Sequence, residues 1–76
     1  MATKNPRNEE LIALFGRNVR KTRIEKGLTM VQLALLCDVE YGTISTIERG
    51  VVNCTISTAH SIARTLGTTL DKLTEM

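Results

Sequence analysis

Apolar residues recur along most of this chain at steps of three and four, the period of an amphipathic helix. The longest such run spans about Asn8 to Lys26. Leu11, Ile12, Phe15, Val19 and Thr22 mark its inner stripe, with Arg17, Arg20 and Lys21 on the opposite side. Gly27 stops the run, as a glycine just past a helix end does. Thr29 then offers an N-cap hydroxyl for a second helix over about Met30–Cys37, with Leu33, Leu36 and Cys37 facing inward. Asp38 stands where the chain has to turn, and Asp tolerates the left-handed conformation better than most residues. Val39 is an apolar turn residue placed to pack under both neighbouring helices. Glu40 brings a negative charge to the positive end of a third helix, over Tyr41–Arg49. Ile44 and Ile47 form the inner stripe of that helix, and Gly50 ends it. A fourth helix follows Thr55 as cap, with Ile56, Ala59, Ile62, Ala63 and Leu66 inward and Gly67 at its end. Thr69 caps a short fifth helix carrying Leu70 and Leu73.

No strand-like alternation appears anywhere. The pattern predicts an all-α fold, a compact five-helix domain over residues 9–76 preceded by a flexible arm over residues 1–8 that holds the only proline, Pro6. Seventy-six residues allow one domain with a thin core. Aromatic residues are only 3% of the chain, so Phe15 and aliphatic side chains have to fill that core. Leu35, Val51, Val52, Leu70, Leu73 and Met76 exceed what so small a core needs, which predicts an exposed apolar surface or a partner.

Charge adds position more than magnitude. The formal net charge is only +2, but Arg17, Arg20, Lys21, Arg23 and Lys26 crowd one segment. Such a basic stripe fits either a solvated helix face or a polyanion contact. The two cysteines form no CxxC, and no secretory leader or membrane-length apolar run is evident. A reducing cytoplasmic compartment is the simple expectation. His60 is the only histidine, and neither an acid nor an oxyanion motif accompanies it. No enzymatic activity is expected, nor a metal, since a structural zinc wants four ligands. No cofactor or small-molecule effector is suggested. Cys37 reads as a small core hydrophobe, and Cys54 as the more exposed and oxidisable thiol.

The order of these residues resembles the helix-turn-helix of the Cro/C1-repressor type, the xenobiotic-response-element family of bacterial and phage regulators. The matching pieces are Arg20-x-x-Arg23, Lys26-Gly27-Leu28-Thr29, Leu33-Ala34, Val39, Ile44-Ser45 and Ile47-Glu48-Arg49-Gly50. Asn53-x-Thr55-Ile56, Ile62-Ala63 and Leu66-Gly67 continue the match, which covers about residues 14–73. The resemblance implies a lambda-repressor-like fold and a transcriptional regulator that binds double-stranded DNA in a bacterial cell or its nucleoid. By resemblance the third helix enters the major groove, with Tyr41, Gly42 and Thr46 facing the bases. Thr29, Thr43, Ser45, Arg49 and Asn53, with Arg17, Arg20 and Lys21, then touch phosphates, which fixes register without reading sequence. Arg23 and Glu48 are expected as a structural salt bridge beneath the third helix.

Two bland alternatives stay open: Ser45 bonding back to a helix carbonyl, and Tyr41 lying flat on the surface. Similar short regulators, restriction–modification controller proteins and phage repressors among them, dimerise through their last two helices. That makes His60, Arg64, Leu70 and Leu73 expected interface positions in a homodimer on a palindromic operator. Met30, Gly42, Val51 and Val52 depart from the family pattern toward apolar or absent side chains. They motivate an alternative, a protein-interaction module with weakened DNA binding.

Overall fold

A computed structural model describes residues 7–76. Five helices follow in order: α1 (Glu9–Glu25), α2 (Met30–Cys37), α3 (Tyr41–Glu48), α4 (Ile56–Thr65) and α5 (Leu70–Leu73). Among the described residues there is no strand.

Side chains start four of the five helices. Asn8, Thr29, Thr55 and Thr69 each accept a hydrogen bond from a backbone N–H in the first turn. Asn8, at the end of the expected arm, caps α1, and Met1–Pro6 of that arm lie outside the described residues. At α2 the cap is reciprocal. Thr29 accepts from the Gln32 N–H at 3.0 Å while the Gln32 carbonyl oxygen accepts from the Thr29 N–H at 2.8 Å. The pattern Thr-x-x-Gln carries this signal in sequence. Gly27 closes α1 with φ +74°, a conformation that L side chains rarely adopt.

α1 packs on α3 and α5, α2 packs on α3 and α4, and α4 packs on α5. Val19, Leu33, Ile44, Ile47, Ile62, Leu66 and Leu73 are fully buried where these faces meet. Phe15, Ala34, Cys37 and Ala63 complete the core cluster. The close approach of α1 to α3 rests on Gly16. A Cβ there would overlap the Ile47 carbonyl oxygen and lie 3.1 Å from that of Glu48. Asn18, two residues further along α1, fastens the far end of the chain. Its amide donates to the Leu73 and Glu75 carbonyls at 2.9 and 3.0 Å.

Four inward assignments change. Leu36 is 62% exposed, and Ala34 takes its place beside Leu33 and Cys37. Seven of the eight α2 residues are apolar, so the pattern leaves the rotation of that helix undetermined. Leu11 is partly exposed, and Ile12 leads the α1 stripe instead. Thr22 is half-buried, with Arg23 occupying the buried position next to it. Ile56, at the very start of α4, projects past the core and is 77% exposed.

Candidate nucleic-acid interface

The turn between α2 and α3 is built on Asp38, the one described non-glycine residue with positive φ, at φ 58° and ψ 44°. Its N–H and that of Val39 bond back to the last turn of α2, Val39 reaching the Ala34 carbonyl at 3.0 Å. Val39 is half-buried against the core, so the turn is packed as well as hydrogen-bonded. α3 then leaves at a fixed angle, with Ile44 and Ile47 inward. Glu40 occupies its cap position without a side-chain hydrogen bond. Only the negative charge near the helix start remains for it to contribute.

Tyr41 and Gly42 are exposed on the first turn of α3. A Cβ on Gly42 would meet nothing within 4 Å, so the fold does not require glycine there. The gap is open to whatever approaches. The Thr46 hydroxyl is already committed as a donor, at 2.9 Å to the Gly42 carbonyl and 3.1 Å to that of Thr43. The back-bond weighed for Ser45 is thus made by Thr46. Thr46 keeps a free lone pair and a methyl group, so it offers an acceptor and an apolar contact. The Thr29 hydroxyl is complementary: it accepts from Gln32, which leaves its proton available to an anion.

Thr43 and Ser45 are half-buried, while Thr29, Arg49 and Asn53 are exposed at the margins of α2 and α3. Arg17, Arg20 and Lys21 are exposed on α1. They share a shallow groove with Asn18, Glu25 and Glu48, which puts them at the C-terminal end of α3 and not at its Tyr41 end.

α3 is held from below by charge. The Arg23 guanidinium donates to both Glu48 oxygens, at 2.7 and 3.0 Å, and to the Leu28 carbonyl at 2.8 Å. The two side chains are only 10% and 4% exposed. Its hydrogen bond to Glu48 holds the guanidinium above its ordinary pKa against the opposing effect of burial. One arginine thereby ties α1, the entry to α2 and the end of α3.

The interface positions expected in the C-terminal half separate. His60 and Arg64 are exposed on α4, and Leu70 is half-buried beside them. Leu73 is corrected: at 1% exposure it belongs to the chain's own core and has no surface to offer a partner. Cys54 is also less reactive than its loop position suggests. Burial pushes its thiol up in pKa, away from the thiolate that oxidation needs. Cys37 is buried, with its sulfur 3.4 Å from the Thr65 hydroxyl. Among the described residues no three His, Cys, Asp or Glu side chains gather as metal ligands, and no helix is long and apolar enough to cross a membrane.

A helix-turn-helix family model (HTH_3) matches residues 19–73, from the middle of α1 to the end of α5. The chain belongs to the helix-turn-helix family. A control protein of Bacillus amyloliquefaciens, C.BamHI, is 38% identical to it over 55 residues, which cover 71% of this chain and 68% of that protein. Among solved structures, the restriction–modification controller protein C.AhdI from Aeromonas hydrophila aligns with TM-score 0.78 at 27% identity, over 82% of this chain and 94% of its own. The clp gene regulator ClgR from Corynebacterium glutamicum aligns with TM-score 0.80 at 28% identity, over 83% of this chain and 67% of its own. Family membership makes this helix-turn-helix protein a DNA-binding transcription regulator of all-α fold.

Proposed function

We propose that the chain binds a palindromic operator as a homodimer, each copy laying α3 in the major groove. The observation that carries this is the division of α3. Ile44 and Ile47 are sealed in the core, while Tyr41, Gly42 and the free lone pair of Thr46 face away from it. Tyr41 then reads a base acceptor or a thymine methyl, Thr46 accepts from a base amino group, and Gly42 allows close approach. Thr29, Thr43, Ser45, Arg49 and Asn53 hold phosphates around α3, and Arg17, Arg20 and Lys21 hold them from the flank. His60, Arg64 and Leu70 lie toward the second copy.

Selection of bound duplexes from a random pool tests the reading. The expected product is a palindrome with half-sites about 34–36 Å apart, one helical turn. An unenriched pool from a folded protein would favour the interaction module, which the exposed Val31, Leu35 and Leu36 of α2 would serve.

Two substitutions separate reading from holding. Tyr41→Ala is expected to cost about 1 kcal/mol of discrimination at one position per half-site, the low end for a single direct contact, with non-specific binding unchanged. Unaltered preference in a repeated selection would remove Tyr41 from the readout. Arg49→Ala is expected to weaken all sequences alike and to reduce the slope of log affinity against log salt by about 0.9 per subunit. A loss confined to one operator would contradict a phosphate role.

A further inference from the structure

A carboxylate brought up to DNA is repelled by the phosphates, and the repulsion is offset only where the carboxylate meets a donor. With α3 docked as proposed, Glu40 stands at that surface, one residue before Tyr41. It is exposed, and its side chain makes no hydrogen bond to the start of α3. Among the described residues the ion pairs are Arg7–Glu9 and Arg23–Glu48, so no cation holds the Glu40 carboxylate. The other four helices begin at Asn8, Thr29, Thr55 and Thr69, each of which caps through its side chain. A capping role at position 40 would call for one of those shorter side chains. Glu40 instead keeps its full accepting capacity free.

The rest of the reading face has the same bias. Residues 40–47 include no Arg, Lys, Asn or Gln, so no side chain there carries an N–H. The Thr46 proton is committed to its own helix, which leaves an acceptor. Gly42 has no side chain, and nothing lies within 4 Å of where one would begin, so the edge of a base pair can come close beside Glu40. Of the side chains that face the bases, Tyr41 alone can still donate.

The major groove offers such a surface two kinds of donor, the amino groups of cytosine and adenine. Adenine sets its N7 acceptor beside the amino group, so a carboxylate opposite it also meets a lone pair. Guanine shows two acceptors and thymine one. Cytosine is the base whose groove edge shows a donor and no acceptor.

We infer that Glu40 is a specificity-determining residue, whose carboxylate accepts a hydrogen bond from the amino group of a cytosine in each half-site. The assignment rests on the DNA reading of α3 proposed above and adds to it the class of base selected. Thr46, with its remaining lone pair, favours the same amino-bearing bases, and the two acceptors together disfavour guanine on the strand they face.

Selection of bound duplexes, repeated with two variants, tests it. Wild type is expected to enrich a cytosine at one position of each half-site by about tenfold over guanine, in the lower part of the range for a good direct contact. Glu40→Ala is expected to remove that preference and to leave the rest of the palindrome as it was. Glu40→Gln is expected to move it toward adenine, because an amide donates to N7 while accepting from the neighbouring amino group. Circular dichroism checks that both variants are folded, as the exposed and unbonded side chain leads one to expect.

A modified duplex separates reading from charge. The enriched cytosine is replaced by a pyrimidinone nucleotide, which lacks the amino group. The loss of affinity is expected to be about tenfold greater for wild type than for Glu40→Ala, since any cost to base pairing is common to both. Equal losses in the two proteins would overturn the inference. So would a wild-type palindrome with no cytosine that depends on Glu40. Tighter binding of Glu40→Ala to every duplex alike, with base preference unchanged, would reduce Glu40 to a repelling charge and overturn it too. An unenriched pool from folded wild type would instead overturn the DNA reading itself, and the assignment of Glu40 with it.

Discussion

Glu48→Ala is expected to lower the unfolding free energy by about 3–5 kcal/mol, the cost of leaving one member of a buried ion pair without its partner. The whole domain has roughly 4–11 kcal/mol to lose, at the usual stability per residue for a chain of this length. The variant should therefore sit near its unfolding transition at ordinary temperatures. The reason is geometric. Two of the three hydrogen bonds of the Arg23 guanidinium end on Glu48, and the guanidinium is almost out of reach of water. Removing both charges is a different matter. Arg23→Met with Glu48→Leu fills the space with apolar atoms and is expected to return within about 2 kcal/mol of wild type, since such replacements of a buried pair are often neutral. Urea unfolding of Arg23→Met, Glu48→Leu and the double completes the cycle. A cost below about 1 kcal/mol for Glu48→Ala would show that water reaches the pair in solution.

Gly16→Ala is expected to cost at least about 2 kcal/mol, toward the upper part of the range for overpacking. A methyl group is normally welcome in a helix, and replacing an exposed mid-helix glycine by alanine gains roughly 1 kcal/mol. Here the sign reverses because the atom in the way is backbone. The Ile47 carbonyl oxygen belongs to α3, and moving it means moving the helix that carries Tyr41 and Thr46. The same substitution should weaken operator binding under conditions where the protein is still folded. Gly42→Ala is the control: it has open space around it and is expected to leave stability level or improved. Equal stabilities for the two alanine variants would mean that α1 and α3 lie further apart than described.

Helix ends were the legible part of this fold because they are chemical events with their own residues. Thr29, Thr55 and Thr69 cap, and Gly27, Gly50 and Gly67 stop, each within a residue or so of the observed boundary. Rotation about a helix axis was harder. α1 and α3 carry enough polar residues to show which side is wet. α2 carries one, Gln32, so Leu36 and Ala34 exchanged places. End effects misled at both extremes of the C-terminal half. Ile56 has the right residue type for the core but begins its helix too early to reach it, and Leu73 is surrounded by α1 and α4 although its helix is a single turn.

The candidate site divides the same way. Tyr41, Gly42 and Arg49 were placed by resemblance along the chain. What the chain does with individual atoms was not readable there: the Thr46 proton spent on its own helix, the Cys54 thiol made less acidic by burial, and the basic side chains of α1 gathered at the far end of α3. Gly16 and Asn18 gave no periodic signal, because one acts through a missing atom and the other through a bond to residues 55 and 57 positions away.

That long bond sets a schedule for the making of the protein. A ribosome that has released α1, α2 and α3 has already delivered Tyr41, Thr46 and the Arg23–Glu48 brace. It has not delivered Leu66 or Leu73, which close the core, or the carbonyls that Asn18 holds. A nascent chain therefore carries α3 seated on α1 and α2 over a core still open on its other side, until Leu73 and the carbonyls that Asn18 holds have emerged.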